Sequence, residues 1–155
     1  TMFQSFADWL IAKVSKREPD FTIGKRPSIY LRRWHLLPRN KVFNIYLHRF
    51  LRSDDDRALH DHPWLNFSYL LKGTYTEHTI AQGGVHHARI AEQGSWKFRR
   101  ARTAHRVELH AGPCWSLFIT GPVIREWGFH CPAGWRSWKL FTSERDKGSI
   151  GRGCE

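Results

Sequence analysis

The segment Leu59-His60-Asp61-His62-Pro63-Trp64 sets two histidines one residue apart inside a run that otherwise reads as a strand. Side chains at i and i+2 of a strand share a face, so both imidazoles would point the same way. Two neutral nitrogen donors on one face are half of a site for a divalent transition metal, and iron, zinc, copper and nickel all accept them. A third donor must come from elsewhere in the chain. The sequence holds ten histidines, and His86-His87 is another close pair, so the spacing gains meaning only from its surroundings.

Other residues invite chemistry of their own. Ile29, Leu31 and Arg33 alternate, as do Ile45, Leu47 and Arg49, so each arginine is expected on a face with core residues. A guanidinium facing a barrel interior needs an anion, either a substrate carboxylate or phosphate held in bidentate fashion or an internal partner such as Asp61, Glu77 or Glu108. His130 stands beside Cys131, but neighbours on an extended chain point apart, which favours a pocket-lining His130 over a Cys–His nucleophile. Trp96, Lys97, Phe98, Arg99, Arg100 and Arg102 interleave aromatic and basic side chains, as surfaces that contact nucleic acid do; a strand with a solvated basic face reads identically.

The elements that must position these residues follow from periodicity. Phe3, Phe6, Leu10 and Val14 recur at helical spacing, predicting a short amphipathic helix within residues 1–20 that Pro19 ends. Short β-branched and aromatic runs then recur about every ten residues, predicting strands over 28–36, 42–51, 59–71, 74–80, 85–90, 95–100, 105–109 and 115–121. Turn residues separate them, among them Ser53-Asp54-Asp55-Asp56, Lys72-Gly73 and the hairpin signal Gly83-Gly84. The expectation is an all-β jelly-roll barrel over residues 21–142, to which the Trp-rich segment 123–141 adds a strand or a cap. Residues 143–155 are expected to form a flexible tail.

Composition bounds the rest. At 155 residues the chain matches one domain, and 41% hydrophobic with 14% aromatic residues excludes a disordered basic tail. The excess of 25 Lys and Arg over 14 Asp and Glu gives +11, enough to attract nucleic acid or an acidic partner, and equally a solubilising surface. Cys114, Cys131 and Cys154 are odd in number with no CxxC spacing, so neither a disulfide framework nor a zinc finger is expected, and a reducing cytoplasmic setting is. The first residues lack the pattern of a secretory leader, and no apolar stretch approaches the ~18 residues of a membrane span.

With these elements in place, residues 54–109 resemble the two motifs of the cupin superfamily. The first motif reads Gly, five residues, His-x-His, three or four residues, Glu, six residues, Gly. Here His60 and His62 form the pair, Asn66 stands at the Glu position, Gly73 closes the motif, and Asp54 replaces the first glycine. The second reads Gly, five residues, Pro-x-Gly, two residues, His, three residues, Asn. Gly94 opens it and His105 falls at the ligand position, while Arg100, Arg102 and Leu109 replace the Pro, the second Gly and the Asn. The resemblance implies a double-stranded β-helix barrel with one divalent metal on His60, His62 and His105. Asn66 would bind weakly through its amide oxygen or hydrogen-bond a ligand imidazole.

A three-histidine set without a carboxylate is similar to that of the thiol and related dioxygenases of the superfamily, which hold ferrous iron. Fe(II) is therefore the expected metal, with oxygenase-like chemistry on a small, acidic substrate anchored by Arg33 or Arg49; zinc or nickel would serve a hydrolase or isomerase. A non-catalytic ligand- or nucleic-acid-binding cupin, using Lys97, Arg99, Arg100 and Arg102, is the alternative. Cupins also pair through sheet edges, which implies a homodimer.

Overall fold

The structure, a computed structural model, describes residues 1–54 and 58–155. Asp55 and Asp56, from the expected turn at Ser53-Asp54-Asp55-Asp56, lie outside the described residues. Helix α1 (Met2–Val14) opens the chain. Its start is fixed by a capping box, in which the Thr1 hydroxyl accepts from Gln4 N–H and the Gln4 side chain accepts from the Thr1 amino group. The buried face is centred on Ala7 with Phe3, Leu10, Ile11 and Val14, while Phe6, expected on that face, is half exposed.

Twelve strands follow among the described residues: β1 (Phe21–Ile23), β2 (Leu31–His35), β3 (Asn44–Phe50), β4 (Leu59–His60), β5 (Asn66–Lys72), β6 (Tyr75–Ala81), β7 (Val85–Ala91), β8 (Trp96–Arg99), β9 (Arg106–Leu109), β10 (Cys114–Thr120), β11 (Gly128–Cys131) and β12 (Gly134–Ser137). A one-turn helix, α2 (Trp138–Phe141), closes the terminal segment. The pairings are antiparallel: a six-stranded sheet β1-β2-β3-β10-β5-β8 faces two three-stranded sheets, β12-β11-β4 and β7-β6-β9. An isolated bridge between His60 and His105 joins the two smaller sheets edge to edge.

The strand expected over 59–71 is broken. Pro63 has no N–H to give a ladder, and five residues pass between β4 and β5 before pairing resumes. The motif glycines explain two of the reversals. Gly73 and Gly94 both take positive φ (98° and 89°), and a Cβ on Gly73 would meet Cys114 Sγ at 2.7 Å.

Two apolar clusters carry the packing. One fills the closed end of the barrel with Leu70, Tyr75, Ala91, Val107 and Cys114. The other lies outside the large sheet, where Trp34, Leu47 and Leu71 meet Ala7 of α1.

The last residues, expected to fray, fold back on the barrel. Thr142 bridges Ile150, Gly151 and Gly153 N–H groups donate to Phe141 O, and Arg52 donates to Gly148 O. Cys131 and Cys154 form a disulfide with Cα atoms 5.5 Å apart. This corrects the expectation of no disulfide framework: sequence spacing could not show the proximity that the folded-back tail creates. It also removes the cysteine count as an argument for a reducing compartment. Cys114 is the free, buried thiol. No helix among the described residues is long and apolar enough to cross a membrane.

Leu47 is fully buried beneath α1. Leu47→Ala is expected to lower stability in urea denaturation by about 2–5 kcal/mol. Leu140→Ala, at a side chain 57% exposed, should change it by less than about 0.5 kcal/mol.

Candidate metal centre

Backbone pairing brings the three histidines together. His60 N–H donates to His105 O and His105 N–H to His60 O (3.0 and 2.9 Å), so the two residues sit directly opposite each other in an antiparallel bridge. Beyond β4 the chain stays extended: Asp61 N–H turns to Gly128 O and His62 N–H to Ala101 O, both at 2.9 Å. This alternation keeps His60 and His62 on one side and sends Asp61 to the other, although His62 lies outside any strand. The expected i, i+2 geometry thus arises from three different backbone partners rather than from one continuous ladder.

The three ring systems lie within 4.8–5.2 Å of one another, centroid to centroid, and their candidate donor atoms all fall within 4.8 Å. Nε2 of His62 and Nε2 of His105 face each other at 3.5 Å. Two nitrogens each about 2.1 Å from one ion stand roughly 3 to 3.5 Å apart, so this pair is spaced as two ligands of one metal. His62 and His105 are buried, and their pKa values are depressed. Burial, followed by the neighbouring His105 and His60, holds His62 well below its ordinary value. Burial and then the Arg99 charge bring His105 down to about 4, against the upward pull of Glu77. Unprotonated imidazoles converging on one point fit a borderline divalent metal of the iron, zinc or nickel kind.

Glu77, unremarked as a site residue in the sequence, is the carboxylate of the centre's floor. It projects inward from β6 at 3% exposure, with Oε1 2.7 Å from His105 Nδ1 in an angled contact. It accepts from Arg99 Nε at 2.7 Å, and Arg99 Nη1 donates to Ser68 Oγ (2.9 Å) and Asn66 Oδ1 (3.3 Å). Burial would raise the Glu77 pKa, but His105 and Arg99 outweigh it and hold the carboxyl ionised far into acid. By occupying Nδ1, Glu77 turns Nε2 of His105 toward the centre. Alternation with Tyr75 along β6 was the sequence signal that could have found it.

Asp61, between the two motif histidines, ties the centre to the terminal hairpin. Its carboxylate accepts from Gly128 N–H and from the side chains of Arg125, His130 and Trp135, all at 2.8–2.9 Å. Burial would raise its pKa, yet these donors pull it below the usual range.

The structure separates the remaining expected residues. Asn66 is buried and engaged by Arg99, so its oxygen serves the floor and not the histidine cluster. Arg33 lines the cavity, whereas Arg49 does not. Arg33 is the register partner of His48 on β3, so Arg49, one residue on, has the opposite parity and lies over Trp115 on the α1 side (5.2 Å). His130 does not line the cavity; Phe129 takes that face of β11 while His130 turns to Asp61. Arg99 is 2% exposed, which removes it from any surface for nucleic acid, while Arg100 and Arg102 are exposed and Lys97 is half-buried. None of the carboxylates named as partners for Arg33 or Arg49 plays that part: Asp61 pairs with Arg125, Glu77 with Arg99 and Glu108 with His78.

The histidines open into a cavity of about 480 Å³, within the range of small-molecule sites. Its walls are largely aromatic. Trp64 stacks on His62 (5.4 Å) and meets Phe118 edge-on (5.5 Å), and Trp127 and Phe129 approach His60 at 6.3 and 6.1 Å.

Solved structures similar to this chain are cupins, and the chain has the cupin fold. Within that class it carries a site of three histidines with no carboxylate among the three. It is similar to Fe(II) HppE in complex with substrate (14% identity over 68% of this chain and 57% of that one, TM-score 0.53). It is likewise similar to the Mn(II)-containing oxalate decarboxylase of Bacillus subtilis (17%, 75% of this chain and 30% of that one, 0.52). A mannose-6-phosphate isomerase described as putative, from Ralstonia eutropha, matches at 20% identity over 67% of this chain and 93% of its own length (0.52). The chain thus spans about half of HppE and under a third of oxalate decarboxylase. No family model matches the sequence, and no curated protein matches it at a significant level.

Two outcomes test this geometry. In the metal-free protein, His48, His62 and His105 stay neutral in the fold but take up protons near pH 6.5 once unfolded. Stability should be level above about pH 6.5 and fall as pH drops toward 4, by about 1.4 kcal/mol per pH unit for each histidine that stays neutral. Urea titrations across that range check the slope, and a flat profile would contradict neutral imidazoles. Glu77→Gln leaves Arg99 buried without its counter-charge. It should cost about 3–5 kcal/mol in the same assay and weaken metal binding by roughly 10–100-fold in a calorimetric titration.

Proposed function

We propose that this protein is a mononuclear metal-dependent cupin enzyme acting on a small molecule, with His60, His62 and His105 as the metal ligands and Fe(II) as the metal. The observation that carries the reading is the convergence of His60 with the buried, neutral imidazoles of His62 and His105 on a roomy aromatic cavity. A ferrous ion on these ligands would supply redox chemistry with dioxygen. The chain's own part is positioning and exclusion of water. Glu77 fixes the tautomer of His105, Asp61 holds the hairpin that carries Phe129, and Trp64, Phe118 and Trp127 form dry walls that keep a substrate beside the histidines.

A second reading, a zinc- or nickel-dependent isomerase or hydrolase, draws support from the same neutral donors, which suit those metals equally. The structural neighbours do not choose between them, since they comprise an Fe(II) protein, a Mn(II) protein and an isomerase described as putative.

Elemental analysis of protein purified without added metal or chelating resin is the direct test, alongside a His60→Ala, His62→Ala double variant. About one iron per chain, lost in the variant, together with oxygen consumption in a substrate screen, is the expected result. Zinc or nickel in that ratio moves the assignment to the second reading. No metal in either protein, even after reconstitution, ends both.

A further inference from the structure

The cavity that holds the histidines has a second, cationic end. Arg33 lines it, with Nε donating to His48 Nε2 (2.9 Å) and the guanidinium lying 4.4 Å from the Tyr46 ring centroid. Among the described residues no carboxylate reaches it; its charged neighbour is Arg39, a like charge that also lines the cavity and has no hydrogen-bond or ion-pair partner among the described residues either. The two carboxylates on the cavity wall are already committed. Asp54 accepts from Tyr30 and from Val107 N–H, and Asp61 holds its four donors from the terminal hairpin. Burial draws the Arg33 pKa down, the signature of a cation short of a counter-charge.

The two ends are joined by one aromatic wall. His48, which fixes Arg33, stacks on Phe118 at 4.9 Å; Phe118 meets Trp64 at 5.5 Å; and Trp64 stacks on His62 at 5.4 Å. A ligand gripped at Arg33 therefore has an unbroken run of aromatic rings, turning edge-on between Phe118 and Trp64, that leads to the three histidines.

We propose that Arg33 and Arg39 form an oxyanion-binding subsite, and that the substrate is a small acid with a flat apolar body lying along Phe118 and Trp64. Its acid group sits at the arginines and its reacting end at the histidines. The assignment of the reacting end rests on the function proposed above; the anion subsite does not. His48 acts as a positioning residue, because accepting from Nε leaves the terminal amino groups of Arg33 free to hold an oxyanion in the fork geometry that guanidinium favours.

The test is calorimetric titration of the full chain, metal-free and metal-loaded, with 1-naphthoate and its uncharged counterpart 1-naphthamide at pH 7.5. Metal-free protein should bind the acid at least tenfold more tightly than the amide. Arg33→Gln and Arg39→Gln should each weaken the acid at least fivefold and leave the amide within twofold; Arg39 is exposed, so its variant folds even where Arg33→Gln does not. Lys16→Gln, which removes an exposed charge just after α1, should alter neither. Equal binding of acid and amide, no binding of the acid, or an equal loss in Lys16→Gln would overturn the subsite. So would a preference for the acid that appears only with metal, which would place the anion on the ion. Loss of metal binding with the acid preference intact would sink the enzyme reading alone.

Discussion

Aiming three imidazoles at one point, with His62 and His105 buried and neutral, is the constraint on which the rest of this structure depends. The backbone bridge between His60 and His105 meets its geometric half, since residues directly opposite in an antiparallel pair put their side chains on the same face at close range. The same bridge joins β4 to the β6–β9 side of the barrel, so two histidines of the candidate metal site also form the seam of the fold. His62 is held by a different partner, Ala101 O, and its direction depends on the chain staying extended past the end of β4.

Asp61 serves that requirement from the other side. Its four donors come from the segment between Arg125 and Trp135, so one buried carboxylate gathers the hairpin that covers the cavity. The disulfide and the bridge from Thr142 to Ile150 then fasten the chain beyond the hairpin. The electrical half is met by Glu77 and Arg99. A buried guanidinium near the histidines disfavours their protonation, and the carboxylate between it and His105 keeps that cation from being unpaired. Replacing such a pair by apolar residues is often neutral for stability, so its value here lies in setting the charge and tautomer of His105.

The parts of this arrangement that were legible in the sequence are those carried by short-range pattern. His60 and His62 stand at the i, i+2 spacing of a strand, Gly73 and Gly94 stand in turn-forming pairs, strand alternation carried the barrel, and His105 was implied by the resemblance to the second cupin motif. The features that could not be read depended on register across strands. Arg33 and Arg49 looked equivalent, and only the pairing of Arg33 with His48 assigns them to opposite faces. Arg99 sits among basic residues, yet its parity on β8 turns it inward to a carboxylate 22 positions away. Cys131 and Cys154 are likewise separated by 23 residues of chain that only the folded-back tail brings together.

Charge balance links the site to its cavity. A divalent ion on three neutral imidazoles would keep its full charge, because no carboxylate joins the cluster to offset it. The cavity adds Arg33 and Arg39, while Asp54 accepts from Tyr30 and Val107 N–H and lies 3.7 Å from His60 Nδ1, and Asp61 is engaged by the terminal hairpin. Aromatic walls raise the cost of leaving that charge uncompensated. An uncharged occupant would have to tolerate that field, whereas an acid that reaches from the arginines toward the histidines neutralises it. The histidine cluster and the Arg33 guanidinium, which no carboxylate among the described residues reaches, therefore place positive charge at both ends of one cavity, and the proposed acidic substrate is the occupant that would balance it.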